Sequence, residues 1–192
     1  MAITILDSTP ALVVIDLQKG IVGAATVHPA DVVVARAAKL ARAFRERRLP
    51  VVLVNVAGRP PGRTEASGPK LTPTADWAEI VPELQPQASD RKLTKKCPGA
   101  FLGTLLDDYL KSRGVTQVVL AGIATSVGVE STARNAFDLG YNVLLVTDAM
   151  TDRDLDSHRH SIEKVFPRLG ERATTLEVLN LLNDRVHEGD HT

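Results

Sequence analysis

Ala11-Leu12-Val13-Val14-Ile15-Asp16-Leu17-Gln18 sets five apolar residues in a row and ends them on a carboxylate. An apolar run with no polar alternation reads as a β-strand buried on both faces, the kind found inside parallel sheets. Stretches 51–56, 117–121 and 142–147 have the same Val/Leu/Ile-rich character. A shorter extended piece, Arg91-Lys92-Leu93-Thr94, and a weak last strand at 173–176 complete the set.

Between these runs the apolar period changes to that of a helix. Val33, Ala37, Leu40, Ala41 and Phe44 share one face, as do Leu102, Leu105, Leu106, Tyr109 and Leu110, with Gly114 as a stop. Val129, Ala133, Ala136 and Phe137 form a third stripe closed by Gly140. Thr151 with Asp154 resembles a capping box that opens a helix through Leu155, Ile162, Val165 and Phe166. Strand and helix in alternation require right-handed crossovers. The expected architecture is therefore a three-layer α/β/α domain with a mostly parallel, about six-stranded Rossmann-like sheet.

The 192 residues fit one domain, 1–192. Residues 57–92 break the rhythm with six prolines and form an irregular excursion, with one short helix expected near 76–81. Residues 183–192 read as a frayed tail. Lysine plus arginine equals aspartate plus glutamate at 23 each. That balance argues against nucleic acid, which calls for a basic surplus, and favours self-association into a homo-oligomer. The first residues lack a signal-peptide pattern and no apolar run spans a bilayer, so a cytoplasmic protein with no membrane partner is expected. The one cysteine, Cys97, forbids an internal disulfide.

In an open parallel sheet, ligands bind beyond the carboxyl ends of the strands. Three features sit there. Asp16 ends the first strand, Lys95 follows the extended piece at 91–94, and Gly122-Ile123-Ala124-Thr125-Ser126-Val127-Gly128 joins a strand to a helix. A carboxylate, an ammonium and a helix start can move a proton, hold an anion and stabilise developing negative charge. An aspartate at a strand end serves equally well to cap the next turn. Lys95, next to Lys96, also reads as a solvated charge. The 122–128 turn lacks the G-x-G-x-x-G spacing, which argues against a dinucleotide or redox protein.

Taken together these segments resemble a family. The 11–18 string is similar to the first-strand motif of the isochorismatase-like hydrolases, also called the cysteine hydrolase superfamily. Thr94-Lys95-Lys96-Cys97-Pro98-Gly99-Ala100-Phe101-Leu102-Gly103-Thr104 resembles that family's lysine motif, and 121–134 resembles its third motif. The likeness continues through Gly140-Tyr141 and Asp148-Ala149, so it covers nearly the whole chain. It implies Asp16 as acid/base and Lys95 as its partner. It further implies an anion hole at the Ala124 and Gly128 amides, a cis peptide at Ile123–Ala124, and substrate contacts from Gln18, Phe101, Ala124 and Thr125.

The departure is Gly128, which stands where most members carry the nucleophilic cysteine. Glycine excludes covalent catalysis there and argues against the nicotinamidase and carbamoyl-hydrolase branches. The isochorismatases proper also lack that cysteine and cleave an enol ether with water, so the expected substrate is a small anionic molecule of isochorismate type. Thr125-Ser126 stand where enterobactin-type isochorismatases have a histidine. Cys97 reads as a packed cysteine sooner than a replacement nucleophile. No histidine follows Asn55-Val56-Ala57 in the place of the family's metal-binding element, and His158 and His160 face different ways, so neither metal nor cofactor is expected. The competing reading is a non-catalytic relative that binds a metabolite or protein.

Overall fold

The computed structural model describes residues 5–24, 26–65 and 74–189. Six strands form one sheet: β1 Pro10–Ile15, β2 Val51–Val56, β3 Arg91–Lys95, β4 Gln117–Ile123, β5 Asn142–Thr151 and β6 Glu171–Ala173. Their order is β3-β2-β1-β4-β5-β6, and every adjacent pair is parallel. Helices α1 Lys19–Val22, α2 Ala30–Glu46, α3 Leu106–Ser112, α4 Glu130–Asp138, α5 Leu155–His160 and α6 Thr175–Gly189 connect and cover them. No helix among the described residues is long and apolar enough to cross a membrane.

The alternation along β1 explains why its sequence is apolar throughout. Leu12 and Val14 enter a core with Val33, Ala37, Leu40 and Phe44 of α2 and Val178 and Leu182 of α6. Ala11, Val13 and Ile15 enter the opposite core with Leu106 and Leu110 of α3 and Ala133 and Ala136 of α4. The sheet is thus the middle layer of three. Each fully buried aliphatic or aromatic side chain contributes about 1.5–3 kcal/mol relative to exposure. Because the chain winds outward in two directions from β1, the sheet has its topological switch between β1 and β4.

Several local expectations change. Helix α3 starts at Leu106, where the Thr104 hydroxyl accepts the Leu106 N–H at 3.1 Å and Gly103 takes φ +70°. Leu102 and Leu105 therefore lie outside the helical stripe, at 72% and 58% exposure. Phe137 is exposed beside its buried neighbour Ala136. Strand β5 runs on to Thr151, so the cap of α5 is Asp154 alone, whose Oδ1 accepts from Ser157 N at 2.8 Å. β6 stops at Ala173 because Thr174 and Glu177 form a reciprocal capping box, and Leu176 belongs to α6. That helix runs to Gly189, and the end of the tail read as frayed, 190–192, lies outside the described residues. In the excursion, turns and a 3-10 segment at Pro82–Leu84 replace the short helix.

Candidate active site

β1 delivers Asp16 to the switch point in an uncommon backbone conformation, φ 53°. Its own N–H is held by the Val54 carbonyl at 2.8 Å. Pairing of Val56 with Lys95 brings the end of β3 level with the end of β2. Alternation along β3 then turns Lys95 inward to 2% exposure and leaves Lys96 outside. Lys95 Nζ contacts Asp16 Oδ2 at 2.8 Å and donates to the Pro98 carbonyl at 2.6 Å. Asp16 Oδ1 is buried without a hydrogen-bond partner. Burial pushes the Asp16 carboxyl up to about 6, and the Lys95 ammonium opposes that rise.

β4 supplies the third wall. Gly122 has φ +127°, and a Cβ on it would collide with the Ile15 carbonyl oxygen, so only glycine lets β4 pass this close to β1. The peptide Ile123–Ala124 is cis, as the resemblance implied. A turn of π-helix, Thr125–Val129, follows and carries Gly128 against the pair. A Cβ on Gly128 would stand 3.2 Å from Asp16 Oδ2 and 3.3 Å from Lys95 Nζ. The bare glycine therefore faces both charged groups directly. Asp152, at the end of β5, holds this turn: its Oδ2 accepts from Ser126 N at 2.7 Å and Ser126 Oγ at 2.8 Å.

These elements border a cavity of about 360 Å³ lined by Asp16, Lys95, Cys97, Ala124, Val127 and Gly128, with Arg59 and Arg153 among its other walls. The sequence-based site residues Asp16, Lys95, Ala124 and Gly128 meet there. Three others do not line it. Gln18 is fully buried and bridges backbone: Nε2 donates to the Val56 and Trp77 carbonyls, each at 3.1 Å, and Oε1 accepts from Val56 N at 2.7 Å. Thr125 is buried against His158, Oγ1 to Nδ1 2.8 Å. Phe101 packs in the core on Tyr141, ring centroids 5.8 Å apart.

Arg59, Arg153 and Asp152 went unread in the sequence. The charged triplet Asp152-Arg153-Asp154 was the available signal, masked by reading 151–154 as a helix start. Cys97 borders the cavity, its Sγ 3.4 Å from the Gly99 and 3.3 Å from the Leu102 carbonyl oxygen. Among the described residues no three histidine, cysteine or acidic side chains cluster as a metal site. A buried carboxyl with one free oxygen, an ammonium and a strand-to-helix turn can transfer a proton and hold an anion.

The Isochorismatase domain profile matches residues 10–177. An uncharacterized isochorismatase family protein of Bacillus subtilis is 44% identical over 176 residues, 88% of this chain and 92% of that protein. An isochorismatase family structure from Burkholderia thailandensis superimposes with TM-score 0.91 at 41% identity, covering 95% of this chain and all of the other (100%). N-carbamoylsarcosine amidase from Thermoplasma acidophilum follows at TM-score 0.71 and 30% identity, covering 87% and 96%.

Proposed function

We infer the reaction from one premise: the chain belongs to the isochorismatase family, and it is a hydrolase of that family. We propose that it hydrolyses a small anionic metabolite without a covalent intermediate, an enol ether of isochorismate type being the named candidate. The observation that carries this reading is Gly128 facing the Asp16–Lys95 pair with no side chain, and so no thiol, at that position.

Protonated Asp16 donates its proton to the methylene carbon of the enol ether. The electron pair of the double bond forms the new C–H bond, and the positive charge is left on the adjacent carbon and its ether oxygen. Water adds to that carbon and gives up a proton to the Asp16 carboxylate. The hemiketal then collapses: its hydroxyl proton passes to the ether oxygen, the ether C–O bond breaks with its electron pair on that oxygen, and pyruvate and the ring alcohol are released. A carboxyl raised to about 6 supports the acid role, because a fraction stays protonated near neutrality. Lys95 fixes Oδ2 and leaves Oδ1, the unpartnered oxygen, as the atom that carries the proton. We assign to the Ala124 and Gly128 amides the holding of a substrate carboxylate, the anion-hole role that the family resemblance implies.

The relative named an amidase suggests amide hydrolysis as an alternative. That chemistry, run through the family's thiol, has no nucleophile at Gly128. The reading also includes a cytoplasmic homo-oligomer, supported by balanced charge and by exposed apolar side chains such as Leu102 and Leu105.

Purified protein incubated with isochorismate should release pyruvate, and Asp16→Asn should not. Release by both would remove Asp16 from the chemistry. Release by neither would rule out isochorismate.

A further inference from the structure

The cavity mouth carries two guanidinium groups that the reaction outlined above does not use. Arg59 and Arg153 both line it and both are exposed, and among the described residues neither guanidinium has an ion-pair or hydrogen-bond partner. For Arg153 this is unexpected from its sequence, because aspartates flank it on both sides. The structure gives both aspartates other work. Asp152 Oδ2 accepts from Ser126, and its Oδ1 accepts the Arg153 backbone N–H at 2.7 Å. Asp154 Oδ1 caps α5 through Ser157 N. The two carboxylates that flank it in sequence are thus bound to N–H and O–H donors, and the Arg153 head is left for another anion.

Arg59 is placed from the other side. It precedes Pro60 and Pro61, and a residue before proline is confined to extended conformations. Its neighbour Gly58 lies against Lys96, where a Cβ would stand 3.3 Å from the lysine Cγ. Arg59 therefore leaves the end of β2 on a stiffened stretch, while Arg153 leaves the end of β5; Asp16, at the end of β1, lies between them in the strand order, and Lys95 reaches it from β3 beyond β2. Guanidinium groups pair with carboxylates through two parallel N–H bonds, which fixes orientation as well as charge.

We propose that Arg59 and Arg153 form a two-point anion clamp across the mouth of this cavity, which makes the ligand class a small dicarboxylate with its reacting bond held over Asp16. The clamp deepens the hydrolase reading by naming the substrate class, and it rests on that reading for the location of the site. One carboxylate meets each arginine, and the reacting bond lies over Asp16 on the cavity wall. A cavity of about 360 Å³ takes a molecule of this size.

The test is calorimetric binding of succinate, its monoamide and its diamide to the full chain, alone and with Arg59→Gln, Arg153→Gln and the double variant. Succinate should bind at least about tenfold more tightly than the monoamide, and each single variant should remove that advantage. The double variant should bind neither. Equal binding of succinate and monoamide, no succinate binding by the wild type, or unchanged succinate affinity in either single variant would overturn the clamp. Asp16→Asn should still bind succinate in the arginine-dependent way. If it does while isochorismate is not hydrolysed by the wild type, the reaction assignment fails and the clamp stands. If isochorismate is hydrolysed with an unchanged KM in the double variant, the clamp fails and the reaction stands.

Discussion

Lys95 holds one oxygen of Asp16 at 2.8 Å, and the other oxygen of the same carboxylate is buried with no partner. A half-satisfied buried carboxylate is the arrangement that raises a carboxyl without neutralising it outright. Here burial wins over the ammonium and sets the group at about 6.

The pH dependence follows with a definite sign. A general acid works in its protonated form, so kcat/KM should be level below about 6 and fall as pH rises through that value. Lys95→Met removes the group that lowers the Asp16 pKa, so the falling limb should move to higher pH. A rate profile from pH 4.5 to 9 checks both, about ten points sufficing to define one limb. Activity that instead rises through about 6 would make Asp16 a base.

Gly128→Ala adds the one atom that the site is shaped to omit. Its Cβ would stand 2.9 Å from Ile15 Cγ2 and 3.2 Å from Asp16 Oδ2. Both neighbours must move, so the variant should lose about 1–3 kcal/mol of stability. Turnover should fall at least about tenfold as the carboxyl leaves its position. Denaturant melts and initial rates read the two effects separately, and full activity would show that the glycine is incidental.

Gly122→Ala should be the most damaging of these changes to the fold. The position combines φ +127° with a Cβ driven into the Ile15 carbonyl, and both faults lie at the last pair of the β1–β4 register, beside Asp16. A loss of about 3 kcal/mol or more is expected by urea denaturation. A loss under about 1 kcal/mol would mean the strands can separate locally at little cost.

Gln18→Ala tests the reassignment of that residue from substrate contact to scaffold. The change leaves the Val56 N–H and the Trp77 carbonyl without their partner. Each buried unsatisfied group costs about 1–3 kcal/mol. The melting temperature should drop while KM stays near the parent value. The reverse pattern, a raised KM with an unchanged melt, would return Gln18 to the binding site.

The layers could be read from sequence because β1, β2, β4 and β5 are buried on both faces, and that demand leaves a continuous apolar signature. The position of Asp16 was legible because it directly follows a strand whose place the pattern sets, whereas Gly128 was singled out by the resemblance of 121–134 to the family's third motif. Lys95 was ambiguous against Lys96, since the register of β3 against β2 decides which one faces inward, and register is a tertiary property. Phe101 looked like a ligand contact, and its place on Tyr141 depends on a partner 40 residues away in the chain. Arg59 and Arg153 come from ends of different strands, so nothing local marks them as neighbours of one cavity. The Thr174–Glu177 capping box was written in the sequence and competed with the short β-like run at 173–176 that overlaps it.

Gln18 joins the two ends of the 57–76 segment, since its one side chain grips Val56 on the way out and Trp77 on the way back. The return is pinned again where Lys19 N meets the Glu79 carbonyl at 2.9 Å and Val81 N meets the Leu17 carbonyl at 3.1 Å. Lengthening a stretch of chain whose ends are already fixed adds little entropy cost, about 0.6 kcal/mol per doubling. The segment can therefore be exchanged between descendants of this gene while Asp16 stays where it is. Arg59 rides on the exchangeable part and the proton donor on the permanent one, so ligand preference can drift by loop replacement while the chemistry is inherited unchanged.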